Sequence, residues 1–263
     1  MGFTTAVVLP CLNEEMNLSQ VLGSLPASID EVILVDGRST DGSVDRAQRL
    51  RADIKIVHQC AKGKGLAMIT GMLEASSDFV IFLDADGSMR GEEIPLFVGA
   101  LLAGADLARG SRGLPGGGSS DFTWLRATGN RMLTIAVNLL YGVRWTDLAY
   151  GYFALRMDAV SRLDLSDLIA QAKDAESTRT GRRRMLRGLP YGHGFEIESL
   201  VFCRAARTGL IVKEIPSFED KRRHGTSNLH AFRDGLRAGY AVIYERVSSR
   251  RAATHSLQPV KRP

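Results

Sequence analysis

The chain has 263 residues, long enough for one large domain or two small ones with a substantial core. Its 44% hydrophobic and 24% charged residues exclude a disordered or collagen-like chain. Lys and Arg number 34 against 29 Asp and Glu, a formal +5 that suits phosphate-rich ligands or an anionic membrane surface but singles out neither.

A strand–turn–helix unit recurs through the first third. The apolar run from Thr5 to Leu9 turns at Pro10-Cys11-Leu12-Asn13, and a helix is predicted from Glu14. A second run, Glu31 to Val35, leads into Asp36-Gly37-Arg38-Ser39-Thr40-Asp41-Gly42, where Asp41 or Ser39 can cap a helix carrying Val44, Ala47 and Leu50. Ile54 to Val57 is a third strand. Gly63-Lys64-Gly65 opens a helix whose Leu66, Ile69, Met72 and Leu73 share a face, and the strand Phe79 to Leu83 ends in Asp84-Ala85-Asp86. Continuous apolar strands alternating with amphipathic helices predict an α/β fold, a mostly parallel central sheet with helices on both faces. In such sheets ligands bind beyond the carboxyl ends of the strands, where the unusual polar sequence falls each time.

The middle is less regular. Gly110 to Ser120 reads as a glycine-rich loop, Trp124 to Val143 as a helix with an apolar stripe, and Tyr150 to Arg156 as a strand. An arginine-rich excursion is expected over about 164–194. A helix from Phe195 to Ala206 and a strand from Leu210 to Ile215 follow. Residues 1–228 are read as the main domain, 229–247 as a final amphipathic helix and 248–263 as a basic, disordered tail.

Cys11, Cys60 and Cys203 lie far apart and form no Cys-x-x-Cys pair, so a reducing, cytoplasmic setting is expected rather than a disulfide framework or a cysteine zinc site. The start lacks the basic stretch of a signal peptide. The longest apolar candidate, Met132 to Val143, is interrupted by Asn138 and too short to cross a bilayer. A soluble or peripheral protein is expected.

Asp84 and Asp86 stand two apart at a strand end, so both carboxylates can face one ligand. Two hard oxygen donors without a nearby His or Cys favour Mg²⁺ or Mn²⁺ shared with substrate phosphates. Asp36 can accept hydrogen bonds from a ribose or base, or simply close an Asx-turn. Neither the Rossmann fingerprint nor a P-loop is present. Lys62, Lys64, Arg109, Arg112, Arg126, Lys221, Arg222 and Arg223 are the basic candidates for phosphate contacts.

Taken together, Val8-Leu9-Pro10-Cys11-Leu12-Asn13-Glu14-Glu15, Val35-Asp36-Gly37-Arg38-Ser39, Lys62-Gly63-Lys64-Gly65, Leu83-Asp84-Ala85-Asp86-Gly87, Arg109-Gly110-Ser111-Arg112, Thr146-Asp147, Phe195-Glu196-Ile197-Glu198 and Arg223-His224-Gly225-Thr226-Ser227 resemble the inverting family 2 glycosyltransferases of the GT-A fold. The likeness is to their polyprenyl- or dolichyl-phosphate mannosyl- and glucosyltransferase branch. It implies that Pro10, Leu12, Asn13, Glu14 and Asp36 hold the nucleotide of a sugar donor. It implies Asp84 and Asp86, with Ala85 between them, as the metal pair on the diphosphate, with Lys64 nearby. Arg112 and Arg126 would meet an acceptor phosphate, and Arg222 or Arg223 with Ser227 would close over the donor. The sequence departs from the pattern at Ser88, where Gln is usual, and in the long arginine-rich stretch.

Two acceptors stay open. A polyprenyl phosphate at the inner membrane face is already ionised and needs no base. A soluble hydroxyl needs one, with Asp147 the first candidate and Glu198 the second. A third reading, a non-catalytic basic module for nucleic acid or membranes, lacks interleaved aromatics; no nucleic-acid partner is expected.

Overall fold

The computed structural model describes residues 2–59, 62–165, 168–170, 192–226 and 230–255. Its strands are β1 (Thr5–Cys11), β2 (Glu31–Asp36), β3 (Lys55–His58), β4 (Phe79–Phe82), β5 (Leu107–Ser111), β6 (Gly118–Ser119), β7 (Phe153–Arg156), β8 (Val212–Pro216) and β9 (Phe218–Glu219). Seven form one sheet in the order β3-β2-β1-β4-β7-β5-β8, while β6 and β9 pair as a separate ribbon. The sheet is parallel except for β7, which runs antiparallel to both β4 and β5.

Its helices are α1 (Leu18–Ser24), α2 (Ser43–Leu50), α3 (Lys64–Glu74), α4 (Ile94–Leu102), α5 (Trp124–Tyr141), α6 (Ile197–Thr208) and α7 (Ala231–His255). Strand alternation decides which side chains meet which helices. Ala6, Val8, Ile33, Val35, Val80 and Phe82 face α3 and α6. Val7, Leu9, Val32, Leu34, Phe79 and Ile81 face α1, α2 and α4. Both faces are covered, so the strand runs carry almost no polar residue. The register Cys11↔Asp36 and Asp36↔His58 aligns the carboxyl ends, and the Leu83 N–H bonds to the Val8 carbonyl. Leu12, Gly37 and Asp84 therefore emerge along one edge.

Several elements differ from the sequence expectation. The first helix starts at Leu18, because Asn13 adopts a left-handed φ of 57° and Glu14 accepts the Asn17 N–H in a turn. The helix α4 and strand β5 are not predicted, since Arg109 interrupts the β5 apolar run. The final helix does not stop at 247 but continues to His255, as helix-compatible Ser, Arg and Ala follow and the next helix breaker is Pro259. Most of the 164–194 excursion lies outside the described residues.

Candidate active site

The loops after β1 and β2 are laced into one cradle. The Asn13 N–H donates to Ser39 Oγ (3.0 Å), and Asn13 Oδ1 accepts the Thr40 N–H (2.7 Å). The Glu14 N–H donates to Ser43 Oγ (2.9 Å), and Glu15 accepts the Gly42 N–H (3.0 Å). Asp36 is buried and accepts the N–H groups of Arg38 and Ser39, so the Asx-turn is formed; His58 Nδ1 lies 3.3 Å from its Oδ2. Asp41 accepts the Ser43 N–H in a turn just before α2, whose N-cap is Gly42 without a side-chain cap, so neither Asp41 nor Ser39 is the capping residue expected. Leu12 remains exposed at the cradle's lip, and Pro10 is half-buried beneath it.

Next to the cradle, four carboxylates surround two cations. Lys64, at the start of α3, places Nζ 2.7 Å from Asp84 Oδ1 and 2.8 Å from Glu198 Oε1. Arg222 bonds to Glu14 through Nη2, and its Nε lies 3.9 Å from Asp86 Oδ2. Asn17 holds the other Glu14 oxygen at 2.7 Å and also bonds to the His224 carbonyl, which ties the 222–226 loop to α1. Burial pushes the Asp84 carboxyl up to about 6; Lys64 opposes this, and Asp86 and Glu198 add to it. Glu14 is raised too, first by burial and further by Asp86, against the pull of Asn17 and Arg222. Burial alone would lower the Lys64 ammonium, but Asp84 and Glu198 outweigh it and hold it firmly charged.

A divalent cation could be held here by Asp84 and Asp86 once Lys64, whose Nζ meets both Asp84 oxygens at 2.7 and 2.9 Å, gives up one of them. Four carboxylates against two cations leave an excess of negative charge, and Asp84 and Asp86 are each about one quarter exposed. Among the described residues no three His, Cys, Asp or Glu side chains gather into a metal-holding group. The pair could thus supply only part of a coordination shell, as hard cations shared with phosphates permit. Ala85, between them, is buried and packs into the core.

A second buried network lies on the β5 side. Arg112 makes a two-pronged ion pair with Asp147, Nε–Oδ2 2.7 Å and Nη2–Oδ1 2.9 Å, and reaches Glu219 at 3.0 Å. Its guanidinium lies between the rings of Phe122 and Tyr150. Asp147 also accepts from the Arg112 N–H and from Asn130 Nδ2 on α5. Burial would raise the Asp147 carboxyl, yet Arg112, aided by Arg109, holds it below the usual carboxylate value. Arg109 is wholly buried between Trp145 and Phe202, donates to the Asp147 carbonyl, and so is no phosphate contact. Its burial lowers its pKa to about 10.

The structure gathers Asn13, Glu14, Asp36, Lys64, Asp84, Asp86, Glu198 and Arg222 along one edge. It sets Arg112 and Asp147 apart in their own buried pair. Arg126 stands on the first turn of α5, one quarter exposed and paired with Asp121 at 2.5 Å. Arg223 is exposed instead on a cavity of about 620 Å³ beside Ser19, Gln20 and Asp220. Ser227 lies outside the described residues. Asn17, Asn130 and Glu219 were not expected; an asparagine within the apolar stripe of α5 was the available signal for Asn130.

A mostly parallel sheet carrying an acidic pair at the mouth of its fourth strand defines the class, and the comparisons name it. The profile of Glycosyl transferase family 2 matches residues 6–164, so the chain belongs to this family and is a glycosyltransferase. It is 31% identical over 235 residues to the polyprenol monophosphomannose synthase of Mycolicibacterium smegmatis, covering 86% of this chain and 80% of that one. It is 30% identical over 245 residues to the undecaprenyl-phosphate mannosyltransferase of Micrococcus luteus, covering 90% of each. Its fold is similar to that of glucosyl-3-phosphoglycerate synthase from Mycobacterium tuberculosis, solved with Mn²⁺, UDP and glucosyl-3-phosphoglycerate. That likeness has a TM-score of 0.66 at 22% identity, over 93% of this chain and 80% of that one. The GT-A fold expected from the sequence is thus the fold found.

Proposed function

We propose that this glycosyltransferase moves a hexose, with inversion, from a GDP-mannose- or UDP-glucose-type donor to a polyprenyl phosphate. The observation that carries the reading is the cluster of Glu14, Asp84, Asp86 and Glu198 around Lys64 and Arg222 at the carboxyl edge of the sheet. Leu12, Asn13, Glu14 and Asp36 would receive the nucleotide. Asp84 and Asp86 would hold Mg²⁺ or Mn²⁺, which when bound offsets charge on a departing nucleoside diphosphate. The names of the two mannosyltransferase relatives support the lipid acceptor.

In this reading an acceptor phosphate oxygen attacks the anomeric carbon as the bond to the diphosphate breaks on the opposite face. Arg222 transfers from Glu14 to the diphosphate and Arg126 meets the acceptor. Asp147 takes no proton. Both its oxygens are engaged by Arg112 and Asn130, so it orients Arg112. That leaves Glu198, paired with Lys64 through Oε1, as the one remaining candidate base for a soluble hydroxyl acceptor, whereas the ionised phosphate needs none. The enzyme would work at the face of a membrane that carries its lipid acceptor; among the described residues no helix is long and apolar enough to cross one.

A panel of GDP-mannose and UDP-glucose with polyprenyl phosphate, with Mn²⁺ or EDTA, tests the proposal. A cation-dependent glycosyl-phosphate lipid is expected. Failure of every nucleotide-sugar to raise the melting temperature would overturn it.

A further inference from the structure

The two carboxylates assigned to the divalent cation are held unequally. Asp86 Oδ1 accepts the Ser88 N–H at 3.0 Å and the Ser88 hydroxyl at 2.7 Å. Its Oδ2 has only a slack neighbour: Arg222 Nε stands 3.9 Å away and makes no hydrogen bond among the described residues. Asp84 is gripped instead. Lys64 Nζ lies 2.7 Å from its Oδ1 and 2.9 Å from its Oδ2, so one ammonium spans the whole carboxylate.

Lys64 has little room to leave. The start of α3 is pressed against neighbouring backbone, since a Cβ at Gly63 would strike the His193 carbonyl. A Cβ at Gly151 would strike Glu198 Oε1 and come within 2.9 Å of Lys64 Nζ, so β-carbon-free backbone walls the ion pair on that side too. The Phe195 ring lies 5.4 Å from Nζ. The lysine side chain is 13% exposed against 26% for Asp84, so a ligand reaches the aspartate more easily than the ammonium reaches water. Glu198, 2.8 Å from Nζ and 8% exposed, is the other carboxylate that Lys64 bonds.

A small divalent cation needs an Asp84 oxygen at about 2.1 Å, and it repels an ammonium bonded to the same carboxylate. Leaning the ammonium onto Glu198 relieves that repulsion without stranding an enclosed charge. We propose that Lys64 is a built-in competitor for the cation at Asp84, and that Glu198 sets the affinity of the site by taking the ammonium over. Both are positioning residues in this scheme, and the proposal rests on the reading of Asp84 and Asp86 as the metal pair.

Titration of Mn²⁺ into the protein without nucleotide, followed by electron paramagnetic resonance of the free ion, reads the competition directly. Lys64→Met should bind Mn²⁺ at least about tenfold more tightly than the wild type. Mn²⁺ should also raise the melting temperature of Lys64→Met more than that of the wild type, because the cation replaces the missing ammonium. Glu198→Gln should bind Mn²⁺ about tenfold more weakly, since Asp84 is then the lysine's remaining anion. A lysine that merely held the fold together would weaken Mn²⁺ binding when removed, not strengthen it. Lys64→Gln, with the same expected direction, serves if the methionine variant does not fold. Equal or weaker Mn²⁺ binding by the lysine variants overturns the competition and leaves the metal pair standing. Unchanged or tighter binding by Glu198→Gln overturns the share given to Glu198. No Mn²⁺ uptake by any of these proteins, with or without GDP or UDP, overturns the metal reading and the proposal with it.

Discussion

Arg112 and Asp147 face each other through two parallel hydrogen bonds, with both side chains almost fully removed from water. Such a pair contributes little over an apolar one of the same shape, but losing one partner strands the other charge. Asp147→Asn should therefore cost about 3 kcal/mol in urea unfolding. Nucleotide-sugar binding by the folded fraction should be unchanged. Weakened acceptor use at normal donor binding would match a role in orienting Arg112, whereas normal turnover would remove that role.

The same pair sets a pH dependence. Asp147 has a folded pKa below its unfolded value, so the unfolded chain binds the extra proton on acidification. Its contribution is present above the ordinary carboxylate value near ~3.9 and is lost as pH falls through the depressed folded value. Urea midpoints measured from pH 5 downward should fall more steeply for wild type than for Asp147→Asn. Parallel slopes would contradict this.

Lys64 joins Asp84 and Glu198 across α3 and α6. Lys64→Met leaves two largely enclosed carboxylates without their cation, and a loss of about 3 kcal/mol is expected. Adding Glu198→Leu should restore part of it, which calorimetry of the single and double variants would read. A cycle with no coupling between the two sites would show that the ion pair holds nothing together.

Gly65 has no room for a side chain. A Cβ there would run into the carbonyl of Gly192, and the Gly65 N–H bonds to the His193 carbonyl at 2.9 Å. Gly65→Ala should therefore push the start of α3, and Lys64 with it, away from the 192–193 backbone. A lower melting temperature, by the equivalent of about 2 kcal/mol, and weaker donor binding are expected.

Arg222 bridges Glu14 and approaches Asp86 from the 222–226 loop. If it transfers to the donor diphosphate, Arg222→Ala should weaken nucleotide-sugar binding about tenfold, one charge-assisted contact's worth. Arg223→Ala, at an outward-facing residue, should not. Equal effects from the two would place the phosphate contact elsewhere.

The first four strands were legible because apolar runs of β1, β2 and β4 are broken by polar turns at one edge of the sheet. The acidic pair at 84 and 86 was legible for the same reason. What was hidden came from long-range packing. Arg109 reads as a surface cation, yet its stem and guanidinium fill space between Trp145 and Phe202. Asp147 reads as a free carboxylate near a glycine turn, and only the fold reveals that Arg112 and Asn130 consume it. Glu219, in a two-residue strand, carries no local sign that it reaches Arg112.

The reversed strand β7 sits between β4 and β5 but is synthesised after both, with Phe79 finally opposite Arg156. During translation the facing edges of β4 and β5 must wait for it, offering unpaired N–H and C=O groups to other nascent chains. Folding is thereby committed to distant pairings that close slowly. Yield in a heterologous host should consequently depend on chaperone supply and low growth temperature far more than on the equilibrium stability of the finished molecule.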